Sequence, residues 1–293
     1  MLVFQSVLAQ NSFDNFFKPS DSLNKKRQNA VFVTEAVLAS SALIGLNQLW
    51  YADYPKSNFH FINDNAEWMQ MDKVGHLYSS YYIGRFSAEA LNWSGASKKN
   101  QLIYGASLGF VFLTAVEVMD GFSAEWGASM GDLTANASGT ALYVSQELLW
   151  EEQRITPKFS FHTTRFSNYR PDLLGSTTQE QILKDYNGQT YWFSVNLYSF
   201  SKKSKIPKWF NVALGYGAEG LIGENNVKKT LIFPIKAQKY REFYLSLDLD
   251  LTKISTKSHF LKTVFSVFNT VKIPAPTLEY SPQRGFKFYA LYF

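Results

Sequence analysis

The sequence predicts an α+β protein, an N-terminal bundle of about four helices followed by an antiparallel β-meander or partial barrel. Three observations predict it. Before residue 157 the apolar residues fall in long runs of helical length, separated by capping and breaking residues. After Pro157 the period drops to two. Over 242–251, Phe243, Leu245, Leu247, Leu249 and Leu251 alternate with Tyr244, Ser246, Asp248 and Asp250, which reads as a half-buried strand. The length of 293 residues suits one large domain or two modest ones.

Residues 1–10 read as the remnant of a secretory signal, an apolar run ending in Val7-Leu8-Ala9 without a basic region ahead of it. Residues 11–29 are polar and carry Lys25-Lys26-Arg27. The run 30–50 has about the ~20 residues that cross a bilayer. Glu35, Asn47 and Gln48 inside it argue instead for a buried bundle helix or an interfacial one. A second helix is expected over 67–92, stopped by Asn92-Trp93-Ser94-Gly95. Ser97 is the expected N-cap of a third over 98–119, where Gly105 and Gly109 permit close helix packing. A fourth starts at Ser129 or Met130 and runs to 153. Strands follow at 191–200, 209–216, 242–251, 276–280 and 285–293, with a weaker one at 159–166. Five or six strands fall short of the eight in the smallest closed membrane barrels. Between them, 258–269 has helical spacing in Phe260, Leu261, Val264, Phe265 and Phe268, an amphipathic helix that lies on a membrane or caps the sheet. The chain thus divides into a signal remnant (1–10), a helical bundle (28–156) and an aromatic-rich β region (157–293).

Composition narrows the function. Aromatic residues make up 17%, with 25 Phe and 17 Tyr, a bias that favours strands and membrane–water boundaries. The net charge of +5 suits an anionic lipid surface, but it is diffuse and comes with no nucleic-acid motif, so no nucleic-acid partner is expected. With no Cys, the sequence has no disulfide, no thiol nucleophile, no thiolate metal site and no lipobox Cys for acylation.

The chemistry concentrates in three runs that interrupt apolar helices: Asp72-Lys73-Val74-Gly75-His76, Glu117-Val118-Met119-Asp120 and Gly131 to Gly139. Burying a neutral polar group without a partner costs roughly 2–7 kcal/mol, and a charge costs more. Asp72 and His76 are four apart and share a helix face, so Asp72 is expected to orient the imidazole. Lys73 is expected to pair with Glu117 or Asp120, or to bind an anionic headgroup. Glu117 and Asp120 share one face, and Asp132 and Asn136 another. Two chemistries use a pocket built from this set. One is a divalent metal ion held by His76, Glu117, Asp120 and Asp132, with Asp72, Lys73 and Asn136 as polar support. The other is acid–base catalysis by His76 with Glu117 or Asp132. The plain structural alternative is a helix-start Asp132, a buried Asp72–Lys73–Glu117 ion-pair network and a core histidine.

At these residues the chain resembles the YfiM-type family of periplasmic lipoproteins, whose function is uncharacterised. More distantly it resembles VanZ-like membrane proteins. The shared pattern is a DKxxH helix, a Glu-bearing helix and a D-x-x-x-N-x-x-G helix. Here these are Asp72-Lys73-…-His76, Glu117-…-Asp120 and Asp132-…-Asn136-…-Gly139. The resemblance covers about 28–155, and segments 185–192 and 272–279 look like the Bacteroidota version with its C-terminal β extension. It implies an envelope location and a helical bundle at a membrane, and it brings no reaction. Phe293, closing an alternating strand, is the kind of C-terminus that outer-membrane β-proteins carry. The expected function is a non-catalytic structural or assembly subunit of a Gram-negative envelope, at the outer membrane or its periplasmic face, partnered by lipid or an outer-membrane complex. The alternative is a membrane-associated hydrolase or lipid-modifying enzyme using His76 with Glu117 or Asp132, although no G-x-S-x-G motif supports it.

Overall fold

The computed structural model describes residues 13–223 and 238–293, so the signal remnant expected at 1–10 lies outside the described residues. Contacts divide the chain into two compact units. The helical unit comprises the described residues up to Asp64, His76–Glu152 and Thr256–Val264. The sheet unit comprises Asn65–Gly75, Gln153–Ser255 and Phe265–Phe293.

In the helical unit, α1 (Lys25–Leu46) is capped by Asn24 and runs on through a π-helical turn, Asn47–Tyr51. Of the two readings its polar residues left open, a buried bundle helix or an interfacial one, the first does not hold. Val31 is its one buried residue, and Phe32, Val33, Val37, Leu38, Ile44 and Leu49 are exposed. Its apolar residues lie all round the helix, so no single face concentrates them for packing. By length and composition, Lys25–Tyr51 and Lys98–Gly121 are each able to cross a membrane.

The second helix, α2, is Met71–Trp93. Its expected start at Glu67 is a 3-10 turn in which Trp68, Met69 and Gln70 hold positive φ, so the α-helix begins four residues later. The third is entered by the turn Lys98–Asn100, capped by Ser97 as expected, and by a π-helical stretch, Gln101–Ala106; α3 proper is Leu108–Gly121. The fourth, α4, is Met130–Trp150 with Ser129 as N-cap, and Glu151 in the left-handed conformation ends it ahead of Gln153. Backbones meet at glycine. A β-carbon on Gly109 would lie 2.0 Å from the Ser80 carbonyl oxygen, and one on Gly139 would lie 2.2 Å from that of Leu77. A core of Tyr81, Tyr82, Tyr143, Ala88 and Ala106 fills the space beside these approaches. Two short parallel strands, β1 (Phe61–Ile62) and β2 (Ala128–Ser129), tie the loop after α1 to the start of α4.

The sheet unit is a six-stranded antiparallel meander of β3 (Ile155–Phe161), β4 (Gln189–Asn196), β5 (Phe210–Glu219), β6 (Tyr240–Leu249), β7 (Ala275–Ser281) and β8 (Gly285–Tyr292). It is open, with β3 and β8 at its edges. Pro157 is tolerated because β3 is an edge strand. The amphipathic helix is α5 (His259–Phe268), between β6 and β7. The sheet curls. Lys158 on β3 reaches across to the Leu249 carbonyl on β6 (2.6 Å), and the Tyr292 ring of β8 meets Trp192 of β4 (5.9 Å between centroids).

The period expected over 242–251 is present, but its sense is reversed. Along β6 the buried residues are Tyr240, Glu242, Tyr244, Ser246 and Asp248, while Phe243, Leu245 and Leu247 are exposed. The concave side holds charge in full burial. Lys158 Nζ pairs with Asp248 Oδ2 at 2.8 Å, and Lys272 Nζ donates to the Leu247 and Ile273 carbonyls while its ammonium sits 5.1 Å from the Trp192 ring. These groups satisfy one another only on the inside of the curl, so the apolar residues take the outside.

A candidate cation site in the helical unit

The site begins with the first turn of α4. Ser129 precedes it in extended conformation, held by the β1–β2 pairing, and its Oγ accepts the Asp132 amide (3.2 Å). That hydroxyl donates to Asp64 Oδ1 (2.6 Å), and the Ser129 amide donates to Glu117 Oε2 (2.9 Å). Glu117 and Asp132 are thereby set by hydrogen bonds from the same residue, although they lie on different helices. Asp132 also sits at the N-terminal end of α4, where the helix dipole favours negative charge.

His76 comes from α2, and the close approach at Gly139 brings it to α4. Its Nδ1 lies 3.0 Å from Asn136 Oδ1, one turn beyond Asp132. An amide oxygen only accepts, so the imidazole proton resides on Nδ1 and the Nε2 lone pair faces the other way. There it meets Glu117 Oε1 at 3.8 Å and Asp132 Oδ1 at 3.9 Å. The three ligand atoms lie within 4.8 Å of one another. Ser80 locks the helix pair, donating to the Asn136 carbonyl (2.7 Å) and bonding the Thr140 hydroxyl (2.9 Å). Burial is graded. The Glu117 and Asp132 side chains are 3% and 8% exposed, whereas that of His76 is 22% exposed, which leaves a small ligand a way in.

The Nε2 atom lies 3.8 and 3.9 Å from the two carboxylate oxygens, too far to hydrogen-bond. The three atoms are spaced as donors to one ion at about 2.0–2.4 Å from each would be. The Asn136 amide bears on the same point. Its Nδ2 is buried and makes no hydrogen bond among the described residues, so it is a donor suited to a ligand oxygen.

The remaining sequence candidates fall elsewhere. Asp120 stands outside the His76–Glu117–Asp132 set and accepts from the Tyr51 hydroxyl (2.7 Å). Burial pushes its carboxyl up to about 6, against the lowering effects of Tyr51 and His76, and the nearby Asp132 and Asp64 add to the rise. The place at His76 Nδ1 that Asp72 was expected to fill is taken by the Asn136 amide oxygen, which faces the ring from α4. Lys73 pairs with Asp72 (2.9 Å). Tyr51, Asp64 and Ser129 escaped the sequence reading. Ser129 alone had a signal, its place as an N-cap ahead of a periodic run.

No curated protein and no solved structure matches the chain. Residues 60–147, which carry these groups from Asp64 to Asn136, match the model of a family described as predicted periplasmic lipoprotein (DUF2279), so over that span the chain is similar to a periplasmic, envelope-associated family.

Proposed function

We propose that this chain is an outer-membrane-associated envelope protein, a structural or assembly subunit whose helical unit holds one divalent cation on His76, Glu117 and Asp132. The observation that carries the cation is the convergence of His76 Nε2 with two buried carboxylate oxygens, at 3.8 and 3.9 Å. A cation between them would offset the negative charge of two buried carboxylates. Asn136 fixes the ring, the Ser129 amide fixes the Glu117 carboxylate, and the Ser129 hydroxyl, anchored on Asp64, fixes the backbone at Asp132, the supporting arrangement that metal ligands need. The periplasmic family match over 60–147 supports the compartment. The ordered DKxxH, Glu and DxxxNxxG pattern carries the more distant VanZ-like and Bacteroidota likenesses as part of the same reading.

The test is binding of Mn²⁺ and Zn²⁺ to the purified, metal-stripped protein, followed by calorimetry and thermal unfolding. One ion per chain with a raised Tm is expected, and His76→Ala, Glu117→Gln and Asp132→Asn should each abolish both. Absence of binding by the unaltered protein, or unchanged binding in all three variants, overturns the cation. Envelope fractionation tests the location, and recovery in the inner membrane overturns it. A second reading is metal-assisted hydrolysis. Three protein ligands beside a partly exposed His76 leave coordination positions open, as catalytic sites do. Hydrolysis of an ester or phosphodiester by the metal-loaded protein, lost in Glu117→Gln, would favour it over the structural role.

A further inference from the structure

The inverted sheet determines a surface as well as a core. Reading the register across all six strands, Pro157, Phe193, Leu214, Leu245, Leu278 and Phe288 form one continuous row on the convex face. Two residues along, Phe159, Tyr191, Tyr216, Phe243, Tyr280 and Phe286 form a second row that is aromatic throughout. On the other side of the first row lie Ile155, Val195, Val212 and Leu247, and then Phe210 with Leu249. Leu214, Leu245 and Phe288 are 56, 48 and 67% exposed. The Tyr191–Tyr216 corner is covered by Met71 and Trp68 of the same unit, Pro157 is buried, and Ile155, Phe159, Val195, Val212, Phe210 and Leu249 are half-buried, so the exposed part of the face runs from Phe193 and Leu214 through β6 and β7 to Phe286 and Phe288. Four rows at about 6.7 Å spacing make a band about 20 Å tall, close to the ~25 Å apolar band of outer-membrane sheets.

The opposite face cannot trade places with this one, because Lys158, Asp248 and Lys272 are fully buried there. Charge marks one end of the band. The β4–β5 connection, at the Phe210–Leu249 end, carries Lys202, Lys203, Lys205 and Lys208, all exposed, with exposed Trp209 beside them. Basic residues and an aromatic flanking an apolar band are what a lipid boundary selects.

We infer that the convex face of this sheet lies against the acyl chains of an anionic bilayer, with the Lys202–Lys208 loop at the headgroups. This deepens the outer-membrane part of the proposed function and is independent of the cation.

The sequence has no Cys, so single-Cys labels report cleanly. Leu245→Cys, Leu278→Cys and Phe288→Cys, with Gln283→Cys as the turn control, are labelled with an environment-sensitive fluorophore. The full chain is then reconstituted into phosphatidylcholine–phosphatidylglycerol vesicles, using variants whose circular dichroism in detergent matches the parent. The expected result is that the three face labels are quenched by lipid-chain nitroxides and shielded from aqueous iodide, while Gln283→Cys behaves oppositely. Replacing Lys202, Lys203, Lys205 and Lys208 together by Gln should weaken vesicle partitioning at least about tenfold, since each lysine near an anionic surface contributes on the order of 1 kcal/mol. Iodide access at the face equal to that at Gln283→Cys overturns the inference. So does efficient Leu245→Cys disulfide formation between copies without nitroxide quenching, which would make the face a self-interface. If the chain fractionates with the outer membrane while its face labels stay iodide-accessible, this inference falls and the envelope reading stands.

Discussion

Asn136 and Gly139 show how much of the site depends on single residues. The Asn136 amide oxygen lies 3.0 Å from His76 Nδ1, and it holds the ring so that Nε2 faces Glu117 and Asp132. Asn136→Ala should leave the three ligands in place and weaken Mn²⁺ or Zn²⁺ binding about 10–100-fold by calorimetry, the usual consequence of removing a partner that orients a ligand. Gly139 acts through space rather than chemistry. With Leu77 O 2.2 Å from where its β-carbon would be, and backbone being unable to swing aside, Gly139→Ala must push α2 away from α4. We expect a loss of about 1–3 kcal/mol in denaturant unfolding, together with weaker cation binding as His76 withdraws from Glu117 and Asp132. An alanine at Gly45, where nothing lies within 4 Å, should do neither.

Among the elements, the N-terminus of α4 organises the site and an acidic cap secures α5. Ser129→Ala removes the hydroxyl that receives the Asp132 amide and holds Asp64. Loss of such a cap costs typically ~1 kcal/mol and up to about 2, so thermal unfolding should move down by a few degrees. At α5, the Asp14 carboxylate accepts the Ser258 hydroxyl (2.5 Å) and the Phe260 amide (3.0 Å). These bonds, led by that from Ser258, hold the exposed Asp14 carboxyl below the usual carboxylate range. A depressed folded-state value means that the contact stabilises above the unfolded pKa and is lost as the pH falls through the lowered one. Acidification below about pH 4 should therefore speed amide exchange at Phe260, and Asp14→Asn should have the same effect at neutral pH without further change on acidification.

In both units of the molecule apolar segments enclose polar groups: apolar helices surround a polar site in one, and an apolar-faced sheet surrounds a charged interior in the other. Asp248 is central to that interior, facing Lys158 at 2.8 Å and Lys272 at 3.9 Å and accepting from Ser194 (2.5 Å). Asp248→Leu leaves two buried ammonium groups without their carboxylate. Breaking a buried pair from one side costs about 3–5 kcal/mol, so unfolding in detergent micelles should reveal a large loss. Leu245→Ser on the convex face should leave micellar stability within about 0.5 kcal/mol, because that side chain packs against no core within the unit.

The two architectures and the motif residues were legible from periodicity and spacing. Lengths of apolar run with Ser97 as a cap marked the helices, and strict alternation over 242–251 marked a strand, because local backbone geometry has a fixed period that side-chain polarity must follow. His76, Glu117, Asp132 and Asn136 stood out because polar groups in apolar helices need partners. Period alone carries no sense of inside and outside. That Leu245 faces out and Asp248 faces in depends on Lys158 and Lys272, which are distant in sequence and meet Asp248 only once the sheet curls. Partner choice was likewise decided in three dimensions. Asp72 shares His76's helix face, yet Asn136, sixty residues away, holds the ring because glycine brings α4 against α2. Local sequence sets which conformations are available, while the satisfaction of buried charge and hydrogen bonds, a property of the packed chain, selects among them.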